Sequence, residues 1–312
     1  MARREVLRLA VATVLGAGLV APSPATTCGM PAGFVEAYPA TSAAMNAAGR
    51  PYSGWTAQGR QFLSFDRCGD GSVVEVVGDL ATADRIAVLV PGVGTGLSDF
   101  DRGLGGVAHR APARQARNLH TALSDAEPHA RVAVLAWLGY DPPDGVAAAA
   151  SQASARHGAR TLGEQLRVLA ARRPDARVTL VGHSYGALVA GLAAGDAPPQ
   201  VTDLVSLGGV GVGVDRAERL GRIRVWAAEA PNDWIRRVPQ VRLPGLGHGI
   251  RPGDLSFGAR QLPVAATTGH DGYLLPGGPT LAAIATVVLY GTAEPAGSRA
   301  ESLGMPATGT AR

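Results

Sequence analysis

A chain of 312 residues, 46% of them hydrophobic, is long enough to bury a large core, and one α/β domain with short additions is the economical count. All 29 basic residues are arginine, which excludes a phosphate-binding loop built on lysine. The formal charge of +4 is spread as single arginines among acidic residues, with no basic stripe and no interleaved aromatics, so no nucleic-acid partner is expected.

The N-terminus reads as an address. Arg3 and Arg4 precede an apolar stretch over residues 9–20, and Ser23-Pro24-Ala25 offers small residues at the −3 and −1 positions of a cleavage site. The stretch is too short to span a bilayer. Residues 3–8 resemble the twin-arginine export motif, with Ala2 where Ser or Thr usually stands. Residues 1–25 are therefore expected to be an export signal, leaving no stable membrane span once removed. An uncleaved anchor or a misassigned start codon is the competing reading. The two cysteines, Cys28 and Cys68, would then form one disulfide between the N-terminal arm and the first hairpin, the alternative being two unrelated thiols.

Residues 26–58, rich in Gly, Pro, Ser and Ala, read as an irregular arm. Residues 60–66 and 72–77 alternate like paired strands around Gly69-Asp70-Gly71, giving an edge hairpin. RIAVLV (85–90) is a buried strand that stops at Pro91-Gly92-Val93-Gly94. A helix is expected over 111–124, and RVAVLAWL (131–138) is another buried strand, broken at Gly139-Tyr140-Asp141-Pro142-Pro143. The Ala-rich stretch 146–171 reads as one helix. After it come strand 178–181, helix 187–194, strands 202–207 and 223–228, a loop-rich stretch over 231–260, a short strand 262–266 and a closing helix 279–289. Residues 292–312 lack apolar periodicity and read as a disordered tail. Strands alternating with helices imply a mostly parallel central sheet with helices on both faces over residues 59–291.

The chemistry concentrates at VTLVGHSYGALVAGLAA (178–194). Strand, Gly182-His183-Ser184-Tyr185-Gly186, helix is the G-x-S-x-G nucleophile elbow of an α/β-hydrolase. The turn is so tight that glycines must flank the serine two residues away on each side, and it leaves the Ser184 hydroxyl at the carboxyl edge of the sheet. A serine needs a base, and the base needs an orienting acid. In this fold the order is Ser, acid, His, so only His248 and His270 come into question as base. His270, between the last strand and last helix, holds the expected place; His248 is the rival and a candidate for lining the pocket. Asp233 follows the strand ending at Ala228 and is the expected acid, with Glu229 and Asp254 as alternatives. Its competing role is that of a helix N-cap, which a carboxylate orienting a histidine would serve only with difficulty at the same time. An oxyanion hole is expected from the N–H groups of Tyr185 and of Val93. Gly92, Tyr140 and Asp141 are expected at the pocket beside His248. Neither Gly92-Val93-Gly94 nor Gly209-Val210-Gly211 continues as G-x-G-x-x-G, and no H-E-x-x-H or Cys–His array is present, so no dinucleotide, metal or other cofactor is expected.

VLVPGVGT (88–95), AWLGYDPP (136–143), the elbow block, VWAAEAPNDWI (225–235), GLGHG (245–249) and GHDGYL (269–274) together resemble an α/β-hydrolase family common in actinobacteria and catalogued as a domain of unknown function. Membership implies the α/β-hydrolase fold and suggests the roles of Ser184, Asp233 and His270, without supplying a substrate. The expectation is an exported serine hydrolase acting on a small-molecule ester or acyl substrate. An amidase or peptidase on the same three residues, or an idle fold used as a binding module, are the alternatives.

Overall fold

After their leading arginines, RIAVLV and RVAVLAWL are apolar at every position, and a strand of that kind is stable only with both faces covered. The computed structural model, which describes residues 32–243 and 246–293, shows how they are covered. An eight-stranded sheet is ordered β1 (Gln61–Asp66), β2 (Ser72–Gly78), β4 (Val132–Leu138), β3 (Arg85–Val90), β5 (Arg177–His183), β6 (Val201–Leu207), β7 (Arg224–Ala228) and β10 (Arg260–Gln261). β2 runs antiparallel to both of its neighbours, and every pair from β4 to β10 is parallel.

Side chains alternate across each strand and so build two separate cores. Ile86, Val88 and Leu180 point to one face, where α5 (Ala153–Arg172) and α6 (Tyr185–Ala194) supply Leu162, Leu166 and Leu188. Ala87, Leu89 and Val181 point to the other, covered by Leu119 and Leu123 of α3 (Pro112–Ala126) and Ile284 and Val288 of α7 (Pro279–Tyr290). The chain passes from β3 outward to β4 and then returns across β3 to β5. Such a reversal opens a crevice beyond the carboxyl ends of the flanking strands, here between the ends of β3 and β5. Among the described residues, no helix is long and apolar enough to cross a membrane.

The structure departs from the sequence reading in four places. The arm expected to be irregular holds two helices, α1 (Tyr38–Ala48) and α2 (Tyr52–Ala57). Its alanines favour helix, whereas Pro39 and Gly49 stand at the ends of α1 rather than inside it. These helices bury Met45 and Trp55 against the hairpin, with the Trp55 ring 6.1 Å from Phe62 and 5.9 Å from Phe100. The helix expected over 146–171 is broken into α4 (Gly145–Ala148) and α5, because Ser151 bridges to Leu246 instead of continuing the helix. The strand expected at 262–266 is the short β10, two residues earlier. Pro263 has no N–H to donate, and the ladder ends with Leu262 N–H on Ala227 O at 2.7 Å. Within the loop-rich stretch, a small hairpin forms from β8 (Arg242–Leu243) and β9 (Leu246–Gly247). The export segment, Cys28 and residues 294–312 of the tail lie outside the described residues.

Asp203 ties the β6 end of the sheet together. Its carboxylate is buried and accepts two bonds from the Arg224 guanidinium (2.8 and 2.6 Å) and one from Trp226 Nε1 (2.8 Å). It accounts for the raised pKa of Arg224 and has no contact with the crevice. Removing a buried charge with partners of this kind costs about 3 kcal/mol, so Asp203→Ala is expected to lower the unfolding free energy by about that amount in urea titration. Asp203→Asn, which keeps an acceptor, should lose less.

Candidate active site

The elbow is dictated by close approaches. Ser184 is the one non-glycine residue with positive φ among the described residues (φ 56°, ψ −121°). A Cβ on Gly182 would lie 2.4 Å from Ala187 Cα, and one on Gly186 would lie 2.2 Å from Val90 O. Both glycines are therefore required by backbone packing. The turn is clamped by Ser184 N–H to Leu207 O (2.9 Å) and by Ala187 N–H to Ser184 O (3.1 Å). Gly92, arriving from the end of β3, passes so near that a Cβ there would sit 2.8 Å from Ser184 Cβ.

Ser184 and His270 line one cavity of about 600 Å³, together with Gly92, Val93, His183, Trp234 and His248. His270 Nδ1 lies 2.8 Å from Asp233 Oδ1 and 3.0 Å from Oδ2. A carboxylate can only accept, so Nδ1 carries a proton, and the neutral ring would hold its lone pair on Nε2. That Nε2 is buried and has no hydrogen-bond partner among the described residues. Two rings pack against the imidazole: its centroid is 4.7 Å from that of His183 and 4.6 Å from that of Trp234. His183 Nε2 donates to His270 O at 2.7 Å. Burial first, and the neighbouring His270 second, push His183 down to about 4, so it stays a neutral strut.

Asp233 fills both roles that the sequence set in competition. Oδ1 accepts from Ile235 N–H at 2.8 Å as a cap and shares Nδ1 of His270, while Oδ2 accepts from Tyr273 Oη. Two carboxylate oxygens offer about four lone-pair directions, enough for all three donors. Burial raises the Asp233 pKa, but hydrogen bonds from His270, Tyr273 and Ile235 outweigh it and leave the carboxyl below its ordinary range. Tyr273 in turn accepts from Ala230 N–H at 3.0 Å, and burial together with Asp233 drives its phenol far above the usual value. The alternative acids are occupied elsewhere. Glu229 is buried between Arg251 (3.0 Å) and Arg236 (3.1 Å), and Asp254 caps Ser256 at the surface.

The other sequence-derived positions divide. His248 lines the cavity but donates Nε2–H to Ala149 O at 2.7 Å, away from any carboxylate. Val93 borders the cavity, and Tyr185 opens α6, where the first N–H groups of a helix lack intrahelical partners. Tyr140 and Asp141 do not line the cavity. The Tyr140 ring stacks on Trp137 in the core, and its hydroxyl donates to Pro91 O at 2.7 Å. Gly94 N–H bonds Pro143 O at 3.1 Å, so Tyr140 and its neighbours pin the turn that carries Val93 from behind. Asp141 lies at the surface, and partial burial first and the neighbouring Asp70 second raise its pKa.

Three contributors escape sequence reasoning. Tyr273 is one, and the Arg110–Asp271 ion pair (2.8 Å) at the cavity wall is another. The third is Gly208, at φ +52°, where a Cβ would lie 2.6 Å from Asp233 Oδ2 and 3.1 Å from His270 Nδ1. GHDGYL carried the Tyr273 signal as a tyrosine three residues after the histidine; nothing local marks Gly208, because its neighbours come from two distant loops. Gly208→Ala is expected to push the Asp233–His270 pair apart. In proton NMR, the low-field resonance of His270 Nδ1–H should shift or vanish while the protein stays folded.

A family model described as alpha/beta hydrolase matches residues 66–243, more than half of the chain. Uncharacterized proteins of Mycobacterium tuberculosis and Mycobacterium bovis are 35% identical over 148 residues, which is 46% of this chain and 54% of theirs. The chain thus spans about half the length of the curated relatives it matches. Similar solved structures include a dienelactone hydrolase from Anabaena variabilis (16% identity, 73% of this chain, 94% of that one, TM-score 0.42). A carboxylesterase from Mesorhizobium loti is similar at 15% identity over 72% of this chain and 98% of that one, with a TM-score of 0.42. With its mostly parallel sheet, its helices on both faces and the matched model over more than half its length, this chain belongs to the alpha/beta hydrolase family.

Proposed function

We propose that the protein is a serine hydrolase that cleaves carboxylic esters through an acyl-enzyme on Ser184, with His270 as general base and Asp233 holding it. The observation that carries this reading is the His270 ring itself: Nδ1 bonded to a buried carboxylate, and Nε2 without a partner among the described residues, in the cavity that Ser184 lines. In the first step, Ser184 Oγ attacks the ester carbonyl as its proton passes to His270 Nε2. The Asp233 carboxylate stabilises the imidazolium. The oxyanion forms against the N–H groups of Tyr185 and Val93, whose turn is fixed by Tyr140. His270 then gives its proton to the departing alkoxide. A water molecule, deprotonated by the same nitrogen, releases the acid and restores Ser184. Hydrogen bonds between a nucleophile and its base are often long before substrate arrives, and the free Nε2 fits that state.

A fluorophosphonate probe tests the assignment. Wild-type protein should be labelled and Ser184→Ala should not; equal labelling of both, or none of the wild type, ends the reading. Asp233→Asn should keep the fold and lose about 10⁴-fold in kcat, less than Ser184→Ala or His270→Ala, because the imidazole would lose its preferred tautomer. Parallel assays on p-nitrophenyl esters and short amides separate an esterase from a peptidase on the same residues.

Export belongs to the same proposal. It is supported by Arg3-Arg4, the apolar stretch and the small residues before position 26. The mature protein recovered outside the cytoplasm should begin after Ala25, and replacing Arg3 and Arg4 by lysine should retain the full-length chain inside. Recovery of the uncut chain in the cytosol would refute export.

A further inference from the structure

Among the described residues, seven large hydrophobic side chains are exposed, and five of them line the cavity of Ser184: Val146, Trp234, Val241, Leu243 and Leu246. Soluble proteins scatter such residues singly, and their gathering at one cavity is the informative case. Val146 belongs to α4, and the last three to the β8–β9 hairpin and the residue before it. The two segments are joined to each other. Gly247 N–H donates to Ala150 O (2.9 Å), Gln152 Nε2 donates to Gly247 O (2.7 Å), and His248 reaches Ala149 O. The apolar wall is therefore a fixed surface, running from solvent toward the buried Ser184. The polar part of the lining has a different origin. Arg110 and Asp271 form their ion pair next to His270, the group that would protonate the departing alcohol.

We infer that this wall is the subsite for an aliphatic acyl chain, and that the substrates are esters of medium to long fatty acids, with the polar alcohol on the Arg110–Asp271 side. The inference rests on the esterase reading above and adds the substrate class. A cavity of about 600 Å³ lies within the range that encloses ligands of that size. Each methylene moved from water onto an apolar wall raises kcat/KM by up to about fourfold, so chain length is a sensitive probe.

The test uses p-nitrophenyl acetate, butyrate and octanoate below their aggregation limits. In the wild type, kcat/KM should rise at least about tenfold from acetate to octanoate. In Leu243→Ser/Leu246→Ser, and in Val146→Ser on the adjoining segment, the octanoate-to-acetate ratio should fall at least about fivefold, through KM. These side chains are exposed, so serine leaves the core intact. A wild type that prefers acetate, or variants with an unchanged ratio, would overturn the inference. Calorimetry on Ser184→Ala with octanoic and butyric acid supplies a readout independent of turnover. Octanoic acid should bind at least about tenfold tighter, and the advantage should disappear when the hairpin leucines are also replaced. If no ester is hydrolysed but octanoic acid binds selectively, the subsite stands and the esterase reading falls. Hydrolysis without chain-length preference refutes the subsite alone.

Discussion

The structure depends on a backbone held where an ordinary residue does not rest. Ser184 sits at φ 56°, a conformation that costs of order 1–3 kcal/mol and persists only when the surroundings over-determine it. Here they do. Gly182 and Gly186 remove the side chains that would collide with Ala187 and Val90, and Leu207 O takes the Ser184 N–H. The strain is offset by two cores that fix β5 between β3 and β6. What the strain gains is position: a hydroxyl at the sheet edge, beside the first turn of α6, with Gly92 pressed against it.

The same stretch of chain serves both halves of the site. Leu207 clamps the serine turn, and the next residue, Gly208, runs beneath Asp233 and His270 with no space for a methyl group. The elbow and the carboxylate–imidazole pair are thereby referenced to one piece of backbone at the end of β6. His183 and Trp234 pack against the imidazole, and Tyr273 and Ile235 N–H complete the Asp233 carboxylate. Each of these contacts limits the freedom of the ring to turn. Among the described residues its Nε2 has no hydrogen-bond partner, and His270 lines the cavity.

The cavity combines two surfaces of different character. The loops beyond β3 and beside His270 bring charge, as Arg110 and Asp271, whereas α4 and the β8–β9 hairpin bring exposed apolar side chains. The hairpin has little secondary structure of its own, two residues in each strand, and owes its place to hydrogen bonds with residues 149–152. A segment so attached can vary in side chain without disturbing the sheet, which is where a common fold acquires its specificity.

The alternation of apolar strands and amphipathic helices made the sheet legible before any coordinates. So did the G-x-S-x-G turn and the order of Ser184, Asp233 and His270 along the chain, because these are local patterns. Periodicity reports which face is buried, and glycine spacing reports a tight turn. The helices of the arm are not legible locally because its alanines are mixed with the Gly and Pro that delimit them, and the last strand is not because Pro263 ends a ladder whose partner is remote. The place of Tyr140 after β4 points to the pocket, yet the direction in which a side chain leaves a loop is set by what packs against it, here Trp137 and Gly158. Tertiary structure alone decided that Asp233 both caps and orients, that Gly208 must lack a side chain, and that five exposed apolar residues face one cavity. Each of those facts is a meeting of segments far apart in the chain, and the local pattern of either segment carries no record of the other.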